Sequence, residues 1–172
     1  MSYDLYMLEP VPGEEPMDTV ERLEERPPPA SPDRAVAGRH RRIADALLAL
    51  QPAYVESQEE PHSTELRDAE GIDVTLSADH AWINFPYWES LDAARLAQEI
   101  ERAATVIAAQ TGWALYDPQL ERFIDPAQDA AELREMFEVG VGHVQRITAE
   151  GEPAPAAGRR LSLWKRLRGG GP

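Results

Sequence analysis

The sequence predicts an α+β protein, a ferredoxin-like βαββαβ sandwich with an additional C-terminal helix and a disordered basic tail. Three observations predict it. Ile72, Val74 and Leu76, then Ala81, Ile83 and Phe85, alternate with Asp73, Thr75, Trp82 and Asn84, the period of a hairpin with one buried face. Leu91, Ala94, Ala97, Ile100, Ala104 and Ile107 recur at three- and four-residue spacing, the period of an amphipathic helix. Around this block, residues 72–116, an earlier strand and helix and a closing strand at Trp113-Ala114-Leu115-Tyr116 complete the order strand, helix, two strands, helix, strand.

Each element has its own signals. Residues 3–8 are aromatic and apolar, and Pro10 and Pro12-Gly13 end them as a first strand. Residues 17–25 form a short helix whose apolar side is Met17, Val20 and Leu23. Pro27-Pro28-Pro29 breaks the chain, and Ser31 then caps a helix with Pro32 at its first position. That helix carries Val36, Ile43, Leu47 and Leu50 on one face, with Pro52 shortly after its end. Residues 53–70 are polar and acidic, with short strands at Tyr54-Val55 and Thr64-Glu65-Leu66. Ala78-Asp79-His80 turns the hairpin, Ser90 caps the long helix and Gly112 stops it.

Asp117-Pro118 makes a turn, and residues 120–124 return as a short edge strand. Asp125-Pro126 opens a last helix, with Gln128 in an approximate capping box and Leu133, Phe137, Val141, Val144 and Ile147 as its stripe. Gly140 and Gly142 inside it each cost about 1 kcal/mol against alanine, which favours a kink or a close helix contact. From Gly151 onward proline, alanine and glycine replace any core pattern, the composition of a disordered segment. The organisation is therefore one domain over residues 1–150, with a proline-rich loop at 27–33 and a polar segment at 53–70, and a basic amphipathic tail over 151–172.

The formal net charge is −14, which opposes nucleic-acid binding over most of the surface. The charge is also uneven: Arg159, Arg160, Lys165, Arg166 and Arg168 face only Glu152 in the tail, so the body is more acidic still. Without cysteine there is neither a disulfide framework nor a thiolate metal site. No window resembles a signal peptide or a membrane span, so the expected compartment is the cytoplasm. Arginine supplies nearly all the positive charge and alanine and proline abound, a bias expected of a GC-rich bacterial genome.

No nucleophile elbow, glycine-rich phosphate loop or His-x-x-x-His spacing occurs, so no catalytic residue, cofactor or metal is expected. Asp117, directly after a strand, is the most site-like carboxylate; a turn in which it holds backbone N–H groups is the favoured reading over a metal or water site. Asp73, Asp79 and His80 cluster around the hairpin, but neighbouring turn residues rarely converge on one ion, and His40, His62 and His143 lack ligand spacing.

The aromatic residues Trp82, Phe85, Tyr87, Trp88 and Trp113 are more informative. Trp82 falls on the opposite hairpin face from Ile83 and Phe85; the last helix, through Phe137 or Val141, is expected to cover it, and a partner hot spot is the alternative. In the tail, Leu161, Trp164 and Leu167 share a helix side flanked by Lys165 and Arg166. This pattern suits weak contact with an anionic membrane or an acidic partner, or an end that folds back on the acidic body.

Met1-Ser2-Tyr3-Asp4-Leu5 and Thr111-Gly112-Trp113-Ala114-Leu115-Tyr116-Asp117-Pro118-Gln119 resemble segments of small acidic bacterial proteins, some of them similar to immunity proteins of polymorphic toxin systems. Leu167-Arg168-Gly169-Gly170 resembles the processed end of ubiquitin-like modifiers, although the helices after the first strand depart from that family's opening hairpin. The first resemblance implies no catalytic residues; it implies a partner bound and neutralised. The expected function is thus a non-enzymatic acidic interaction module, specifically a toxin-neutralising immunity protein. The alternatives are a small-ligand sensor using Trp82 and Trp113, and a membrane-peripheral adaptor acting through the tail. The candidate interaction residues are Trp82, Trp88, Trp113, Asp117, Trp164, Lys165 and Arg166.

Overall fold

The computed structural model describes residues 2–27, 33–57, 63–69, 71–86, 92–129, 131–135 and 137. Its elements run β1 (Ser2–Leu8), α1 (Pro16–Glu24), α2 (Arg34–Leu50), β2 (Val55–Ser57), β3 (Thr64–Arg67), β4 (Asp73–Leu76), β5 (His80–Pro86), α3 (Ala93–Thr111), β6 (Ala114–Asp117) and β7 (Arg122–Ile124), followed by helical residues 131–135 and 137. The class is α+β, as expected. The strands form one seven-stranded sheet in the order β2-β3-β4-β5-β1-β6-β7, every pair antiparallel.

Strand alternation divides the sheet into two faces. Tyr3, Leu5 and Met7 of β1, Val74 and Leu76 of β4, Ala81, Ile83 and Phe85 of β5 and Leu115 of β6 point to the face covered by α2 and α3. There α2 buries Ile43, Ala44 and Leu47, and α3 buries Leu96, Ala97, Ile100, Ala103, Ala104 and Ile107. Small residues on α3 let the two helices pack beside one another over the sheet, giving one continuous core. Gly112 ends α3 in the left-handed conformation, at φ 76°, where glycine carries no Cβ penalty.

Several expectations are corrected. Both long helices start two residues later than the serine signals implied. Asp33 caps α2 by accepting from the Ala35 N–H at 2.7 Å, and Asp92 caps α3 by accepting from Ala94 and Arg95. An ionised carboxylate at this position also meets the positive end of the helix dipole, which a serine hydroxyl does not. The sheet is wider than the four strands of the expected sandwich: the short strands read within 53–70 are present as β2 and β3, the one read at 120–124 as β7, and all three join it.

The larger correction concerns the opposite face. Among the described residues the last helix does not reach Trp82: Phe137 packs with Tyr3 at 5.5 Å and Phe85 at 4.9 Å, edge to face, on the side already occupied by α2 and α3, and Val141 lies outside the described residues. Leu133 joins the same core. The outer face is instead served by α1, whose Val20 and Met17 pack with Tyr6, Leu8, Tyr116, Trp82 and Phe123. The physical reason is register. Trp82, Tyr6, Tyr116 and Phe123 are successive cross-strand partners, so they make one aromatic row that needs an apolar helix over it. Pro16 starts α1, and the exposed Glu14–Arg22 pair ties the helix to the loop before it. The remaining stripe positions of the last helix, its two glycines, the proline-rich loop and the tail lie outside the described residues.

Candidate functional site

Asp117 lies at the end of β6 and is fully buried. Its Oδ1 accepts from the Gln119 N–H at 2.7 Å and the Leu120 N–H at 3.2 Å, and the Tyr3 hydroxyl donates to Oδ2. Burial pushes its carboxyl above the usual range, opposed by Tyr3, the two N–H groups and Arg122. Each oxygen is therefore engaged in holding the β6–β7 turn and fastening it to β1. The turn reading of Asp117 accounts for its geometry.

The β4–β5 turn is fastened from both sides. On the helical face, His40 of α2 meets the Ser77 carbonyl at 3.0 Å, Thr64 lies at 3.5 Å from its other nitrogen, and Arg39 donates to the Ala78 carbonyl. Arg39 also sits 5.1 Å over the Trp113 ring. Burial, with Arg39 adding to it, holds the His40 imidazole below the usual histidine range, against the pull of the Ser77 carbonyl. On the outer face, Asp79 joins Arg26 to the His80 ring, both at 2.9 Å, and the ring stands edge-on to Trp82 at 4.4 Å. Among the described residues, the buried Arg39 Nε and His80 Nε2 make no hydrogen bond. Asp73, grouped with Asp79 and His80 in the sequence, instead takes two hydrogen bonds from Arg67, at 2.5 and 2.8 Å. No cluster of three metal-ligating side chains occurs among the described residues.

Trp82 and Trp113 do not share a face. Trp113 belongs to the core under α2 and α3, whereas Trp82 is half-buried against the α1 cluster. The sheet separates them, so one small-ligand pocket using both does not form. Trp88, Trp164, Lys165 and Arg166 lie outside the described residues.

The surface that sequence reading missed is α1 itself. Asp18, Glu21, Arg22, Glu25 and Arg26 line an open groove of about 570 Å³. Its two cations are committed elsewhere, Arg22 to Glu14 and Arg26 to Asp79, which leaves Asp18, Glu21 and Glu25 as an exposed acidic stripe. The three-, four- and seven-residue spacing of these acids was the available signal; attention to the apolar side of the same helix concealed it.

No family model matches this chain, and neither a curated protein nor a solved structure does.

Proposed function

We propose that this chain is a non-enzymatic interaction module that engages a basic protein partner through the outward side of α1. The groove with Asp18, Glu21 and Glu25 carries the reading, because its cations are already paired and its carboxylates face solvent on a chain of net charge −14. Such a field attracts a cationic surface, speeds encounter and selects against acidic partners. An immunity protein that masks the cationic site of a bacterial toxin in the cytoplasm is the specific form that fits both this surface and the sequence resemblance. The inner strands, in the order β4-β5-β1-β6 with α2 and α3 on one face, support a ferredoxin-like core to which β2, β3, β7 and α1 are added.

Reversing Asp18, Glu21 and Glu25 to lysine tests the reading. A partner captured from the source cell and then purified should bind the triple variant at least about tenfold more weakly, with the loss mainly in association rate and reduced by salt. Unchanged affinity and salt dependence would remove α1 as the interface.

A further inference from the structure

The helices on this sheet are anchored unequally. α2 buries Ile43, Ala44 and Leu47, and α3 runs a buried stripe from Leu96 to Ile107. Among the described residues of α1, Val20 is the buried apolar side chain, with Met17 partly buried beside it. Thr19 is also buried, but its hydrogen bond goes to Glu14, which pairs with Arg22 as well. Those bonds join the helix to the turn before it and move with it. A helix of nine residues with no side-chain cap at Glu15 has little stability of its own, so its place on the sheet rests on this small apolar contact.

Both ends suit release. Gly13 holds the left-handed conformation at φ 81°, in a turn closed by the Glu14 N–H on the Val11 carbonyl at 3.2 Å. Nothing crowds the position a Cβ would take there, so the backbone is free to pivot. At the far end Arg26 meets Asp79 of the β4–β5 turn at 2.9 Å. With the arginine side chain 68% exposed, this pair latches α1 but adds little free energy. Behind the latch, Asp79 meets the ring of His80, which pairs across the strands with Leu8. The His80 Nε2 is buried and, among the described residues, makes no hydrogen bond; water that reaches it on opening offsets part of the cost of exposing the apolar row.

We propose that α1 is a strap over the outer face, pivoting at Gly13 and latched by Arg26 on Asp79, that leaves the sheet as a unit while the strands, α2 and α3 stay folded. The closed form presents the acidic stripe of α1. The open form presents Tyr6, Leu8, Tyr116 and Phe123, so the latch governs access to the aromatic row.

The chain has no cysteine, so a single introduced thiol reports its own exposure. Leu5 and Leu8 lie on the same strand, both fully buried, on opposite faces. Full chains carrying Leu8→Cys or Leu5→Cys are treated with iodoacetamide below the urea unfolding transition and read by mass spectrometry. Leu8→Cys should react at least about tenfold faster and almost independently of urea, because the opening exposes little surface, whereas Leu5→Cys should follow the steep urea dependence of global unfolding. Arg26→Gln should raise the Leu8→Cys rate about threefold. Tyr116→Cys, under α1 on the next strand, should share the rate and urea independence of Leu8→Cys. In the unsubstituted chain, native-state hydrogen exchange at the Val20 amide should show a urea-independent opening that the Ile100 amide lacks. A common urea dependence for both faces, no response to Arg26→Gln, or labelling of Leu8→Cys without Tyr116→Cys, the mark of a frayed β1 end, would overturn the proposal. So would Val20 and Ile100 exchanging together. The test uses the chain alone, so its failure and failure of the partner reading are told apart.

Discussion

The two faces of the sheet are built on different terms. The helical face buries a continuous core from Tyr3 to Phe137 under two long helices, and its polar members, such as His40 and Glu99, are each tied to a partner. Among the described residues the outer face has one short helix, of nine residues, over an aromatic row, and then a polar stretch. Fold stability should therefore concentrate on the first, while the second can carry charge and recognition at small cost to folding. Burial of about 25 cal/mol per Å² of apolar surface favours whichever face excludes water more completely.

Substitutions can break this comparison. Phe85→Ala removes the ring between Tyr3 and Phe137, and should cost about 3–5 kcal/mol in urea unfolding. Leu8→Ala, equally buried but beneath α1, should cost about 2 kcal/mol, because the short helix can settle into the space. Equal losses for the two would show that α1 is as firmly held as α2 and α3.

Tyr3→Phe tests the join between β1 and β6. It leaves the Asp117 Oδ2 without its donor and should cost about 1–3 kcal/mol at neutral pH. The Asp117 pKa is raised, so its contribution is present below the unfolded value and is lost as pH rises through the folded value. Removing the hydroxyl raises it further. The Tyr3→Phe deficit should consequently be larger at pH 7 than at about pH 4, where the unfolded carboxyl is half protonated; a deficit that does not vary with pH would contradict the hold of the Tyr3 hydroxyl on the Asp117 carboxyl.

The smallest effect belongs to His40. Its pKa is depressed by burial, so the stability it contributes is full above about pH 6.5 and is lost as pH falls through the folded value. His40→Gln should flatten the decline in urea midpoint over that window. A decline of unchanged slope would assign it to other groups.

Much of the framework was legible in the residues. The β4–β5 hairpin, the glycine stop at 112, the apolar side of α1 and the Asp117 turn follow from short-range periodicity and local hydrogen bonding, which sequence displays directly. The helix starts were displaced because the aspartates two residues on cap N–H groups of their own and interact better with the dipole than a serine hydroxyl does. The acidic groove was legible in spacing, but only the paired state of Arg22 and Arg26 shows that its charge is uncompensated.

By itself the sequence determined the mixed class, the alternation that makes two sheet faces, the acidic body and the basic end, since these depend on period and composition. Tertiary structure decided which helix lies on which face. Val20 and Phe137 are both apolar residues on amphipathic segments, and nothing local distinguishes their destinations. Strand register aligned Trp82, Tyr6, Tyr116 and Phe123 under α1, while the Tyr3–Phe85 stack on the other side took Phe137. Such choices are made by long-range burial, where each segment goes to the surface it covers best.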